Sequence, residues 1–134
     1  AHNAETLIVD PVQGDLYIVS KAAGGHSLVF RAAAPLQSGG LEEVTALDFG
    51  PGGLTTGGSA SAAGDWVVVR TYFAARMWHR PKGMPLWHAF AGAACDVPVA
   101  MELQGEAIGF AAAGLDYFTT SEGASPPLYL YTRG

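Results

Sequence analysis

The chain has 134 residues, 49% of them hydrophobic and 14% charged, with a formal net charge of −5. That length predicts one domain with room for a real apolar core. Without a Lys/Arg cluster to displace counterions from phosphates, no nucleic-acid partner is expected, and no apolar run approaches the ~20 residues that span a bilayer, so no membrane partner is expected either.

Eighteen Gly and eight Pro, set among many Val, Thr and Tyr, predict an all-β chain with many turns. The chain begins at Ala1 rather than Met, which reads as a processed or excised product with no signal peptide in view. Cys95 stands alone and has no internal partner for a disulfide; a half-buried, inert thiol is expected.

Taken in chain order, the first apolar run is Thr6–Val9, followed by a turn at Gly14 and a second run over Leu16–Ser20. A third, alternating run covers Ser27–Arg31 and a fourth Glu43–Phe49. The pattern then starts again: Gly57–Ala60, a turn at Gly64, Trp66–Arg70, Arg76–Arg80 and Asp96–Met101. Between the last two, Met84–Gly92 is short and amphipathic, a predicted helix with Gly92 as its C-terminal glycine. A third copy gives Ala107–Phe110, a turn at Gly114, Tyr117–Ser121 and Leu128–Thr132. Alternation between Gly/Pro/Asp turns is the strand signal, and the more continuous second runs predict strands buried on both faces.

Anchoring the three copies on Gly14, Gly64 and Gly114 makes Glu5, Thr56 and Glu106 equivalent, 51 and 50 residues apart. With one residue of slippage in the third copy, Lys21, Thr71 and Glu122 then close the second runs. Four short strands in each period of about 50 residues is the signature of β-propeller blades. The expected units are residues 4–50, 55–102 and an incomplete third, 103–134. Three blades cannot close a ring of the usual 4–8 and would leave apolar faces bare. The expected partner is therefore a second copy, or the other half of a longer chain, completing a six-bladed ring.

The segments HNAETLIVDPVQGDLYIVSK, TTGGSASAAGDWVVVRTY and LQGEAIGFAAAGLDYFTTSEG resemble the C-terminal half of a group of secreted or periplasmic bacterial β-propeller proteins, loosely related to phytase-like and esterase-like propellers. The resemblance covers nearly the whole chain. It implies the propeller fold and a secreted or periplasmic location, with no shared reaction. The group's pattern has an acidic residue after the paired Gly of the second blade, where this chain has Ser59. A site that needs a third carboxylate there is one ligand short.

The start of each first strand and the end of each second are antiparallel neighbours, so they share one end of the channel. That places Glu5 with Lys21, Thr56 with Arg70 and Thr71, and Glu106 with Glu122 around one mouth, with His2, Asn3, Gln104 and Ser121 close by. Glu5 and Lys21 read most simply as a cross-strand ion pair. Glu106 and Glu122 face each other as like charges and call for compensation: Arg70 from the neighbouring blade, a shared proton, or a hard cation such as Ca²⁺. The candidate ligand-binding residues are thus Glu5, Lys21, Arg70, Gln104, Glu106, Ser121 and Glu122, with Glu106 and Glu122 as the candidate metal ligands. No nucleophile elbow, zinc-helix motif or phosphate loop occurs, and His26, His79 and His88 fall on outer strands or the helix. Trp66 reads as packing between blades; Trp78, Trp87, Tyr129 and Tyr131 either pack or stack on sugars as lectin aromatics do. The expected function is a binding and assembly module with a polar channel mouth open to a small-molecule ligand. The alternative is a Ca²⁺-assisted phosphate or carboxylic ester hydrolase.

Overall fold

A computed structural model describes residues 2–102 and 104–133. The outer limits of the third repeat, Leu103 and Gly134, lie outside the described residues, as does Ala1.

The chain is all-β: three antiparallel sheets of four, four and three strands, each a simple up-and-down meander. Sheet 1 holds β1 (Ala4–Val9), β2 (Leu16–Ser20), β3 (His26–Ala32) and β4 (Glu42–Asp48). Sheet 2 holds β5 (Thr55–Ala60), β6 (Trp66–Thr71), β7 (Ala75–His79) and the three-residue β8 (Cys95–Val97). Sheet 3 holds β9 (Gly105–Phe110), β10 (Tyr117–Ser121) and β11 (Leu128–Tyr131). The predicted helix is a short 3-10 segment, Leu86–Ala91. Gly92 follows it and donates its N–H to the Ala89 carbonyl, but in an extended conformation (φ −85°) rather than the left-handed one expected of a capping glycine.

The three sheets repeat one another closely. In each, the first hairpin spans six residues between its last paired positions, Val9 with Leu16, Ala60 with Val67 and Phe110 with Tyr117. Each first strand then carries a bulge, and the unpaired residue is Glu5, Thr56 or Glu106. The spacing of 51 and 50 residues therefore describes backbone geometry as well as sequence.

The one-residue slip, however, lies in the first turn and not in the third copy. Gly64 and Gly114 stand fourth in their loops, while Gly14 stands fifth, all with φ between 70° and 79°. Pro11 has no N–H to tighten the first turn. Instead the Asp10 carboxylate accepts the Val12 N–H, and Gly14 bonds the Asp10 carbonyl four residues back, where Gly64 bonds Ser61 three back. Corrected for this, the residue equivalent to Lys21 in the second sheet is Tyr72, not Thr71.

The sheets stack face to face through their first strands, β1 on β5 and β5 on β9. Gly57 and Gly58 are why β5 fits between the other two. A Cβ on Gly58 would come within 2.9 Å of the Thr6 and Ile8 side chains, and one on Gly57 within 2.9 Å of the Glu106 carbonyl. Two cores result, one per junction. The first gathers Ile8, Tyr17, Val19 and Val29 of sheet 1 with Val67, Val69 and Trp78 of sheet 2, and Leu86 and Ala89 of the 3-10 segment plug its outer edge. The second joins Val68, Ala75, Met77 and Val97 to Ile108 and Tyr117.

Position in the stack decides burial. Among the described residues, β6 and β7 of the middle sheet send apolar side chains into both cores, Val67 and Val69 opposite Val68 on β6 and Trp78 opposite Ala75 and Met77 on β7; β2 and β10 alternate, because sheets 1 and 3 have a neighbour on one side only. Trp78 is core, and Tyr131 stacks on Tyr117 at 4.7 Å, so these two pack rather than project; Tyr129 stays exposed. Cys95 is exposed, contrary to expectation, since its strand is the outermost of sheet 2.

Candidate functional site

The three bulges stand at equivalent places in the stack; Glu5 and Glu106 join one string of polar side chains, while Thr56 is buried against β9. In the first sheet the bulge residue Glu5 meets Lys21, the first residue after the second strand; the equivalent residues are Thr56 and Tyr72 in the second sheet and Glu106 and Glu122 in the third. The β-bulge supplies the local geometry, leaving one residue of each first strand unpaired and breaking the alternation there.

A string of side-chain bonds crosses all three sheets at the bulge end of the stack. The Lys21 ammonium donates to Glu5 Oε2 at 2.9 Å and to the Tyr72 hydroxyl at 2.7 Å. The Tyr72 hydroxyl in turn reaches Glu106 Oε1 at 3.4 Å, long for such a bond. The Tyr72 hydrogen bond, with Glu5 second, raises the Lys21 pKa above its ordinary value, against an opposing contribution from burial. Thr56 takes no part in the string; its buried hydroxyl donates to the Gly105 carbonyl at 2.6 Å and pins β5 to β9. Tyr72 is the member that sequence reasoning missed. The signal was present: the 51-residue step from Lys21 lands on it once the slip is assigned to the first turn.

Arg70 lies directly beneath, fully buried, and is a structural cation rather than a free one. It donates to Glu102 Oε2 at 3.2 Å and to the carbonyls of Thr71, Tyr72 and Ala107. Glu102 also accepts the Thr119 hydroxyl at 3.1 Å. The guanidinium lies so close to Gly105 that a Cβ there would overlap it. Of the three compensations expected for Glu106 and Glu122, Arg70 is thus corrected: its carboxylate partner is Glu102, the last residue of the second expected unit, which the sequence did not single out.

The opposed acidic pair does not form as drawn. The bulge takes Glu106 out of register, so Ser121 pairs with Gly105 and Thr120 with Ala107. Glu106 is half-buried and turned to Tyr72, while Glu122 is exposed and holds its place through a backbone bond to the Gln104 carbonyl. Gln104 is exposed and Ser121 half-buried. Among the described residues, no three His, Cys, Asp or Glu side chains gather to hold a metal ion. Glu106 and Glu122 offer a cation two carboxylates at most.

The far end of the stack holds a second buried ion pair. Arg80 clasps Asp10 through its two terminal guanidinium nitrogens, at 2.8 and 3.0 Å, and donates also to the Met84 and Gly64 carbonyls. A cleft of about 420 Å³ opens over it, lined by Val12 and Gln13, by the Ala63–Asp65 turn and by His79 to Met84. These four bonds hold Arg80 in place, and the pair tethers sheet 1 to sheet 2. Among the described residues, no helix is long and apolar enough to cross a membrane.

Comparison with known protein families finds no family model that matches the chain, and comparison with curated proteins finds no match.

Proposed function

We propose that the chain is a run of three propeller-type blades, a binding and assembly module whose polar end takes a small cationic ligand. One observation carries this reading: the same two positions recur in every repeat, and four of the side chains they supply form the string Glu5–Lys21–Tyr72–Glu106 across the three sheets. Sites in repeat folds arise in this way, from several units each presenting a side chain to one point. The charge at this end favours a cation. Glu5, Glu106 and Glu122 stand against Lys21 alone, because Arg70 is already committed to Glu102. A small organic amine supplies the donors that these carboxylates lack and needs no third fixed ligand.

The test is a titration of ¹⁵N-labelled protein with spermidine and, separately, with CaCl₂. Spermidine is expected to shift the amides around Glu5, Lys21, Tyr72 and Glu106, and Glu106→Gln to weaken the response several-fold. Shifts confined to the cleft over Arg80 would move the site there and overturn the reading. A melting temperature that rises with millimolar CaCl₂ and falls back with EDTA would favour the Ca²⁺-assisted hydrolase instead, because a ligand of the native state must stabilise it.

A further inference from the structure

The two outermost sheet faces are bare and apolar. On sheet 1, Leu7 and Val9 are 56% and 54% exposed, with the half-buried Leu16, Ile18 and Phe30 beside them on the same face. On sheet 3, the outward face carries Ala107 and Gly109 of β9, Phe118 of β10, and Leu128 and Leu130 of β11, the last two 67% and 54% exposed.

The repeat frame says what these faces are. Stepping back from sheet 2 to sheet 1, the residues at the places of Gly58, Ala60, Val67 and Val69 are Leu7, Val9, Leu16 and Ile18. The outward face of sheet 1 is therefore the equivalent of the face by which sheet 2 receives sheet 1. Stepping forward from sheet 2 to sheet 3, Gly57, Ser59 and Val68 become Ala107, Gly109 and Phe118, the face by which a sheet meets its successor. The two bare faces are thus the two halves of one more junction of a kind the chain already makes twice.

We infer that a second copy of this chain fills that junction, the outward face of sheet 3 packing head-to-tail on the outward face of sheet 1, twice over, to close a ring of six sheets. The inference rests on the propeller-type reading of the repeat. Two observations pick out this pairing. The first is size. In the existing junctions a bulky first strand always meets a small one: Ile8 lies over Gly58, and Ile108 against Gly57. Leu7 and Val9 against Ala107 and Gly109 continue that rule, whereas sheet 1 on sheet 1 would set bulky on bulky, and a Cβ at Gly109 now meets nothing within 4 Å. The second is charge. Lys21 of sheet 1 reaches Tyr72, its equivalent on the next sheet. The second junction does not repeat that bond, since Tyr72 turns to Glu106, but the head-to-tail pairing sets Glu122 opposite the second copy's Lys21, an opposite charge. An acid that is exposed in one chain thereby meets a cation in the pair.

The experiment measures particle mass by light scattering on the whole chain. Twice the chain mass of 13.9 kDa is expected. Ile18→Glu and Phe118→Lys each face outward, away from both cores, and each alone is expected to weaken association at least 100-fold, while the two combined in one chain restore it. A monomer at all concentrations, or open-ended polymers, would overturn the inference while leaving the amine titration of the polar end free to succeed. A dimer that survives Phe118→Lys would show that sheet 1 pairs with itself, and would overturn it equally. A folded Phe118→Lys monomer, by circular dichroism, separates lost association from lost folding.

Discussion

Arg70 and Glu102 show how a single residue can be mistaken when its burial is unknown. A guanidinium taken wholly out of water needs an acceptor for almost every N–H, and here a carboxylate and three carbonyls supply them. Removing the carboxylate leaves the cation uncompensated in the interior. Glu102→Ala is expected to cost about 3–5 kcal/mol, read by urea denaturation. A loss below about 1 kcal/mol would mean that the carbonyls alone suffice. Gly105→Ala acts on the same group from the other side, since its methyl would occupy the space of the guanidinium. Tyr117 offers a test by pH. Burial, with the Tyr131 hydroxyl second, pushes its pKa up to about 12 from an ordinary 10. The folded chain therefore keeps a proton that the unfolded chain releases, and stability present below pH ~10 is lost as pH rises toward 12. Lys21, also raised, shifts stability in the same direction over the same alkaline range. Tyr117→Phe is expected to forfeit its hydrogen bond to the Pro98 carbonyl at every pH, about 1 kcal/mol, yet to show a shallower decline between pH 9 and 11.5. An equal slope in variant and wild type would refute the assignment.

At the level of the element, the first strands govern how closely sheets approach. β5 reads TTGGSA, a poor strand by propensity, because Gly gives a sheet neither packing nor entropy. Its glycines are there for the neighbours: β1 presses on one face and β9 on the other. Gly58→Val is expected to destabilise by roughly 1–3 kcal/mol, the range for overpacking, and more than the same change at Gly109, where space is open. Comparing the two variants by thermal melting checks this; equal costs would rule out the wedge. β6, covered on both sides, is expected to hold the slowest-exchanging amides, at Val67 to Arg70, with those of β11 among the fastest. Strand existence was largely legible in the sequence at this scale, since the alternating runs and the Gly turns sit where the strands and hairpins form. β8 is the exception: three residues, where six were expected, because Pro98 lacks the N–H that a continuing ladder needs.

For the molecule as a whole, three stacked sheets leave one apolar face at each end, larger exposures than isolated surface leucines produce. If those faces meet in a second copy, dilution must uncover them. ANS fluorescence per chain is expected to rise as the protein is diluted through its dissociation range, and to be high at all concentrations in Phe118→Lys. A concentration-independent signal in the wild type would mean that the faces are never covered.

The repeat, the turn glycines and the recurrence of Glu5, Thr56 and Glu106 follow from the sequence alone, because strand periodicity and positive-φ turns are local properties that neighbouring residues decide. Which acid answers Arg70, why Tyr72 rather than Thr71 joins Lys21, and where Glu106 points were settled only by the tertiary structure. Those depend on a bulge register and on contacts between sheets about 50 residues apart, and a one-residue shift in a single turn is enough to exchange one partner for another.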